Sequence, residues 1–296
     1  LASADSINAF DGPMIVQVYA YLAGAYQHYG LYVEADNWAR TNVEFGRRHN
    51  LLFAEATGYE FLGENAVHKG EFKMGLEFAE REFEIADKLH SRERRVWTHF
   101  VAAMCSFFLG DSARSEREYT EGIALAELIG ELRGAALLKG NYAILLADKA
   151  DQHASESISD QAERQRLFDE ALAVALENFE AGERLGLLYS RFDAHRCLAD
   201  VRFRRGESGE AERLCAATDD FISDTESRVS QLWLGPLHID VLLAAAKQAE
   251  AEGKTVDALS KRSLAAEKLA RYQELVAKCQ SPRFTSEGER LTVALK

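Results

Sequence analysis

Glycine, the ordinary residue least suited to a helix interior apart from proline, recurs in this chain at an interval of forty: Gly30, Gly70 and Gly110. Around it the sequence is built for helices. Ala, Leu, Glu and Arg dominate, and proline occurs only at positions 13, 236 and 282. Alternating Val, Ile and Thr runs, the mark of strands, are missing. A glycine at such a place ends one helix by turning the backbone through positive φ without steric cost. A second helix then starts three to five residues later, often with an acid near its first turn, as at Glu34 and Glu210. The glycine is therefore a hinge between two antiparallel helices, and the fold class is all-α.

Aligning the chain on these hinges gives "LAGAYQHYGLYVEADNWA" (22–39), "LGENAVHKGEFKMGLEFA" (62–79) and "AAMCSFFLGDSARSEREY" (102–119). A fourth unit has Ala150 at the beat, and later units carry Gly206 and Gly253. Small residues fall where paired helices should cross: Ala23, Gly63, Ala103 and Ala199 on first helices, Ala35, Gly75, Ser115 and Ala211 on second ones. One helix pair cannot bury its apolar face alone, whereas stacked pairs can, so the expected architecture is a right-handed superhelix of about six to seven antiparallel helix pairs. The whole chain, 1–296, reads as one repeat domain with units at 14–50, 51–90, 91–130, 131–187, 188–228 and 229–280. Residues 281–296 form a C-terminal cap or open a further repeat. The step from Ala150 to Gly206 is sixteen residues longer than forty, and the polar run at 148–163 absorbs it as loop or helix extension. The step from Gly206 to Gly253 is 47, about two extra helical turns.

At these residues the chain resembles the tetratricopeptide-repeat family, in the long-unit variety found in bacterial multidomain regulators. "LGENAVHKGEF" and "LADVRFRRGESGEAE" follow the family's order of Leu-small, then Gly, then Ala in the second helix. The segment 124–151 looks like junctions in signal-transduction ATPases with numerous domains, including the maltose-responsive transcription activator. The resemblance covers roughly 14–280 and implies an interaction module of a cytoplasmic bacterial regulator. The family's proline near each unit's end is absent, and the unit is longer than its usual one. The motif specifies packing rather than ligand.

Charge and composition narrow the function further. A net charge of −13 argues against nucleic-acid binding and against anionic membrane surfaces. Cys105, Cys197, Cys215 and Cys279 are isolated thiols of a reduced compartment. The longest apolar stretch, 100–110, falls short of the ~20 residues that span a bilayer, and no secretory signal is visible. A chain that begins at Leu1 suggests processing or excision from a longer protein.

Catalytic motifs are not found. "GKT" at 253–255 lacks the earlier glycine of a phosphate loop, since Gln248 stands there, and Gly253 doubles as a hinge. His195 and Cys197 are two residues apart, on different helix faces, so no metal site is expected. The expectation is a non-enzymatic chain without cofactor.

In tetratricopeptide superhelices the first helix of each unit lines the concave face. That register implies groove positions at Gln17, Gln27 and His28; at Glu60, Glu64 and His68; at Trp97, Phe100, Met104, Phe107 and Phe108; and at Asp193, Arg196, Asp200, Phe203 and Arg204. The aromatic stripe at 97–108 is either a set of partner anchors or, if the register slips by a residue, plain core. Arg196 and Arg204, from "RFDAHRCLADVRFRR", either clamp a carboxylate or phosphate or belong to a solvated face paired with nearby acids. Two functions follow: a groove for a protein, a peptide or a neighbouring domain, or a sensor of a small sugar or anionic metabolite.

Overall fold

The computed structural model describes residues 11–153, 157–223, 225 and 227–296. Among them the chain is all helix and no strand: α1 (Asp11–His28), α2 (Tyr32–His49), α3 (Leu52–Lys69), α4 (Phe72–Lys88), α5 (Arg92–Phe108), α6 (Ser112–Ile129), α7 (Leu132–Gln152), α8 (Ile158–Leu185), α9 (Leu188–Arg204), α10 (Ser208–Ser223), α11 (Arg228–Ala251), α12 (Thr255–Lys278) and α13 (Pro282–Leu295). The hinge glycines do what the spacing requires. Gly70 sits at φ 82°, with its N–H bonded to Val67 O and the N–H of Glu71 bonded to Ala66 O at 2.8 Å. That paired closure satisfies the last carbonyls of α3 and needs a residue without a Cβ penalty. A second forty-residue beat marks the ends of second helices, where Asn50, His90 and Gly130 all have positive φ. At Ala150 the beat is silent because α7 runs on to Gln152 and α8 extends over 28 residues. The surplus is mainly helix, and residues 154–156 of the polar run lie outside the described residues.

The crossings are as close as the small residues permit. Ala23, Ala35, Ala103, Ser115, Ala199 and Ala211 are all 0% exposed. Ser115 Oγ donates to Ala103 O at 3.0 Å, so the axes of α5 and α6 touch through a side chain of one hydroxymethyl group. A Cβ on Gly75 would lie 2.5 Å from Cys105 Sγ and 3.6 Å from Gly63 O. Any larger side chain there would separate α3, α4 and α5.

The helices fall into two layers. The backbones of second helices come close only to those of their sequence neighbours, whereas those of first helices also approach one another in the order α1, α3, α5, α7, α9, α11, and α11 returns to α1. The superhelix is thus rolled until its inner layer closes. α13 packs against both α11 and α3. The closure buries Tyr32 with Leu232, Ile239, Tyr272, Cys279 and Phe284 in one apolar cluster. This explains a departure from the sequence expectation about the most apolar segment. That segment is α11 rather than 100–110: an 18-residue window of its 24 residues, at mean hydropathy 1.3, is long and apolar enough to cross a membrane, yet 61% of that window is buried inside the protein. A helix covered by neighbours on several sides has no polar face to keep.

The closure sets a test. Gly30 and Gly110 share a left-handed backbone, φ 69° and 79°, but a Cβ on Gly30 would meet Cys279 Sγ at 2.3 Å while Gly110 has nothing within 4 Å. Gly110→Ala is expected to lose about 1–2 kcal/mol from the backbone alone, and Gly30→Ala at least about 1 kcal/mol more from the clash. Urea melts measure both. A Cys279→Ala background should narrow the gap; identical losses at the two positions would show that the ends do not meet.

Candidate binding lumen

Rolling the inner layer shut encloses a lumen to which every first helix contributes. One cavity of about 110 Å³ is lined by Gln27 and His28 of α1, Glu64 and His68 of α3, Trp97, Phe100 and Met104 of α5, Arg133 and Asn141 of α7, Tyr189, Asp193 and Arg196 of α9, and Val229 and Trp233 of α11. A second, of about 530 Å³, shares Met104, Asn141, Arg196 and Trp233 with it and adds Phe107, Phe108, Asp200, Phe203, Arg204, Arg283 and Glu287. Glu60 lies in a separate cleft beside Phe53, Arg94 and Trp97. Gln17 is exposed on α1 and lines none of these cavities. The positions named from the sequence therefore fall into two adjoining cavities and one cleft.

The aromatic stripe of α5 faces this space. Trp97, Phe100, Phe107 and Phe108 are half-buried and Met104 is buried, while Ala102, Ala103 and Ser106 fill the opposite, packed side. The rings do not stand free. Phe108 stacks on Phe72 with centroids 4.8 Å apart and lies 6.3 Å from Trp233. Met104 belongs to a core cluster with Val67 and Cys105. The stripe lines the lumen with its exposed edges and packs the interior with the rest.

The two arginines of the expected clamp have different fates. Arg204 is held by Asp200, Asp151 and Asp148 at 2.9, 3.0 and 3.4 Å, so its charge is already matched. Arg191, Arg202 and Arg205 likewise pair with acids, as a solvated face would have it. Arg196 is buried instead. Its Nη2 donates to Asp193 Oδ1 at 2.8 Å and Asn141 Oδ1 at 3.0 Å, and its guanidinium lies over the Trp233 ring. A joint Arg196/Arg204 clamp is thus not what the geometry offers. His195, two residues from Cys197, bonds Glu183 at 2.8 Å, whereas the Cys197 thiol faces Asp193. The two point at different groups, as their spacing requires.

On the α3 side Glu64 of the lumen wall and Glu60 of the adjoining cleft lie close enough to Glu82 of α4 for their charges to interact. Gln27 Nε2 donates to Glu64 Oε2 at 3.1 Å, and burial raises the Glu64 pKa. Burial and then the charge of Glu64 push Glu60 up to about 7. Glu82 is 1% exposed, and burial with the charge of Glu60 drives it well above the usual carboxylate range. Arg94 bridges them, with Nη1 at 3.4 Å from Glu60 and 3.6 Å from Glu82, while Nη2 donates to Thr57 at 2.6 Å. One cation serves a cluster that holds more than one acid.

His68 is the hinge point between the two ends of the chain. The indole N–H of Trp233 donates to His68 Nδ1 at 3.0 Å, so the imidazole proton sits on Nε2. Burial, then Arg283 and His28, hold its pKa down to about 3. The ring stacks on Tyr32 at 5.4 Å, its backbone carbonyl accepts from Ser281 Oγ at 2.8 Å, and Arg283 donates to Val67 O at 3.1 Å. Sequence reasoning named His68 but missed its partners. Leu137 stands forty residues after Trp97 and Trp233 forty after Asp193, so extending the register into the fourth and sixth units would have found both. Asn141 follows Val101, which the register does not include, and Arg283 lies on α13, which follows the last regular pair.

Consecutive antiparallel helix pairs whose first helices line a common interior define a tetratricopeptide-like helical-repeat solenoid. Among solved structures the chain is similar to the crystal structure of a Rap protein complexed with competence and sporulation factor, with a TM-score of 0.54 at 14% identity over 96% of this chain and 76% of that one. The likeness is one of fold. No protein-family model and no curated protein sequence matches the chain.

Two measurements probe the lumen wall. Trp233→Phe keeps a ring but leaves His68 Nδ1 buried without its donor, an expected loss of about 1–3 kcal/mol in urea melts; a loss under about 0.5 kcal/mol would mean the bond does not fasten α11 to α3. Glu60 differs in sign from an ordinary carboxylate. With a folded pKa near 7 it keeps its proton in the folded state while the unfolded chain gives it up, so stability falls as pH rises from 4.5 to 7. Glu60→Gln leaves Arg94 its Glu82 and Thr57 contacts and is expected to stabilise the protein by about 1 kcal/mol at pH 8.5, with little gain at pH 4.5. Calorimetric melts across that range decide it; a constant difference would remove Glu60 as the titrating group.

Proposed function

We propose that this chain is a non-enzymatic sensory module of a larger bacterial regulator, acting in the cytoplasm and binding a short peptide or peptide segment inside the lumen. The observation that supports it is the convergence of side chains from all six first helices on one interior space. The Rap protein of similar fold, solved in complex with competence and sporulation factor, is consistent with such a role. The two adjoining cavities, of about 110 and 530 Å³, give an extended segment of a few residues room inside the lumen.

The same volume favours a second reading. A cavity of 530 Å³ lies within the range of about 300–1,000 Å³ typical of small-molecule sites. On that reading the module senses a sugar or an anionic metabolite.

Thermal melts of the purified chain separate these readings when run against short peptides, neutral sugars and small organic anions. A ligand at 100 times its Kd adds about 2.7 kcal/mol. Trp97→Ala and Phe100→Ala, provided each variant still melts cooperatively, are expected to weaken binding about tenfold or more. Undiminished binding in both variants would place the ligand outside the lumen.

A further inference from the structure

The larger cavity holds several charged side chains, and nearly all of them are matched within the protein. Asp200 and Asp151 are bound by Arg204 at 2.9 and 3.0 Å. Asp240 and Glu287 are bound by Arg290 at 2.7 and 2.9 Å. Arg196 has Asp193 at 2.8 Å. Arg283 is the exception: among the described residues, no carboxylate forms an ion pair with its guanidinium.

Its surroundings are aromatic. The guanidinium lies 3.9 Å from the Trp233 centroid and 4.2 Å from that of Phe108. Among the described residues its side chain makes one hydrogen bond, from Nη1 to Val67 O at 3.1 Å. A guanidinium carries five N–H donors in a fixed fork, so most of this one remains unused. Arg196 lies over the same indole at 5.3 Å, which sets two cations on one ring with Asp193 as their single paired carboxylate. Burial and then Arg196 lower the Arg283 pKa to about 10, against an opposing contribution from Glu287 on the same cavity wall. A cation that served only to pack against rings would be costly to leave unpaired.

We propose that the 530 Å³ cavity is an anion-binding site, in which the free N–H groups of Arg283, supported by Arg196, receive a carboxylate or phosphate group of a compact ligand. The site rests on the reading of the lumen as a binding space and specifies which chemical group that space selects. The planar fork suits two parallel hydrogen bonds to such a group, and the rings around it exclude water that would weaken them.

Isothermal titration of the full chain with sodium succinate, inorganic phosphate and succinamide, at fixed ionic strength, tests this. Succinamide has the size and shape of succinate without its charge. At least one of the two anions is expected to bind, with succinamide at least tenfold weaker than succinate if succinate is the binder. Arg283→Lys should retain part of the affinity, and Arg283→Met should lose it by tenfold or more. Because Arg283→Met also breaks the bond to Val67, crystals of the unaltered protein soaked in sodium selenate give a reading independent of any variant: an anomalous peak within hydrogen-bond distance of Arg283 supports the site. Equal binding of succinate and succinamide, binding of neither anion, or a selenate peak only elsewhere would overturn it. If neither anion binds while short peptides still stabilise the protein in thermal melts, the anion site falls and the lumen reading stands; if nothing binds in either assay, both fall.

Discussion

Close helix approach governs this molecule. Each hairpin of helices leaves apolar surface that only the next hairpin can cover, and coverage is good only where axes come near enough for methyl groups and hydroxyls to fill the gap. The residues that permit this, from Ala23 to Ala211, have no exposed surface left. At Gly75 even one added carbon would collide with the Cys105 sulfur. Because the same small residues recur at the same place in each pair, successive pairs turn by a similar amount, and a superhelix results.

What the repeat alone does not supply is the closure. A regular solenoid presents an open concave face and two free ends. Here α11 touches α1, α13 enters beside α3, and Tyr32 is buried among residues about two hundred or more positions away in the sequence. The polar contacts across the seam are directional and include Trp233 to His68, Ser281 to the His68 carbonyl, Arg283 to that of Val67 and Arg228 to that of Tyr29. They convert a groove into a lumen and fix its width. A ligand must then match a bounded volume, which favours selectivity over the broad adhesion of an open surface.

The sequence revealed the pairs plainly and the closure not at all, for a physical reason. Hinge glycines and small crossing residues act locally, so their forty-residue spacing survives in the chain as text. Gln27, His68, Trp97, Phe100 and Arg196 were legible for the same cause: the register that places one helix in a wall places its neighbours. Closure is a sum of small rotations over six pairs, and no single residue records it. Of the residues that fasten the seam, Trp233 still keeps the spacing, forty residues after Asp193, whereas Arg283 lies beyond the last regular pair. Arg204 shows the converse limit: its helical position was right, but only the fold brings Asp148 and Asp151 from α7 to occupy it.

Electrostatics then sets unlike regions in and around the lumen. On α3 and α4, Glu60, Glu64 and Glu82 are pushed by burial toward their protonated forms. His68 and His238 are pushed by burial toward neutrality, with pKa values near 3 and 4. These two groups act with opposite sign. The histidines support the fold fully above their unfolded pKa of 6.5 and progressively less as pH falls below it. The buried acids are least compatible with folding above pH 7 and are relieved as pH falls toward 4.5. Between about 4.5 and 6.5 the two trends oppose each other, which flattens the dependence of stability on pH. The guanidinium of Arg283 keeps its charge throughout that interval, since even its lowered pKa stays near 10. On the proposed reading, selectivity for a charged ligand then rests on a cation that does not titrate where the acids and histidines do.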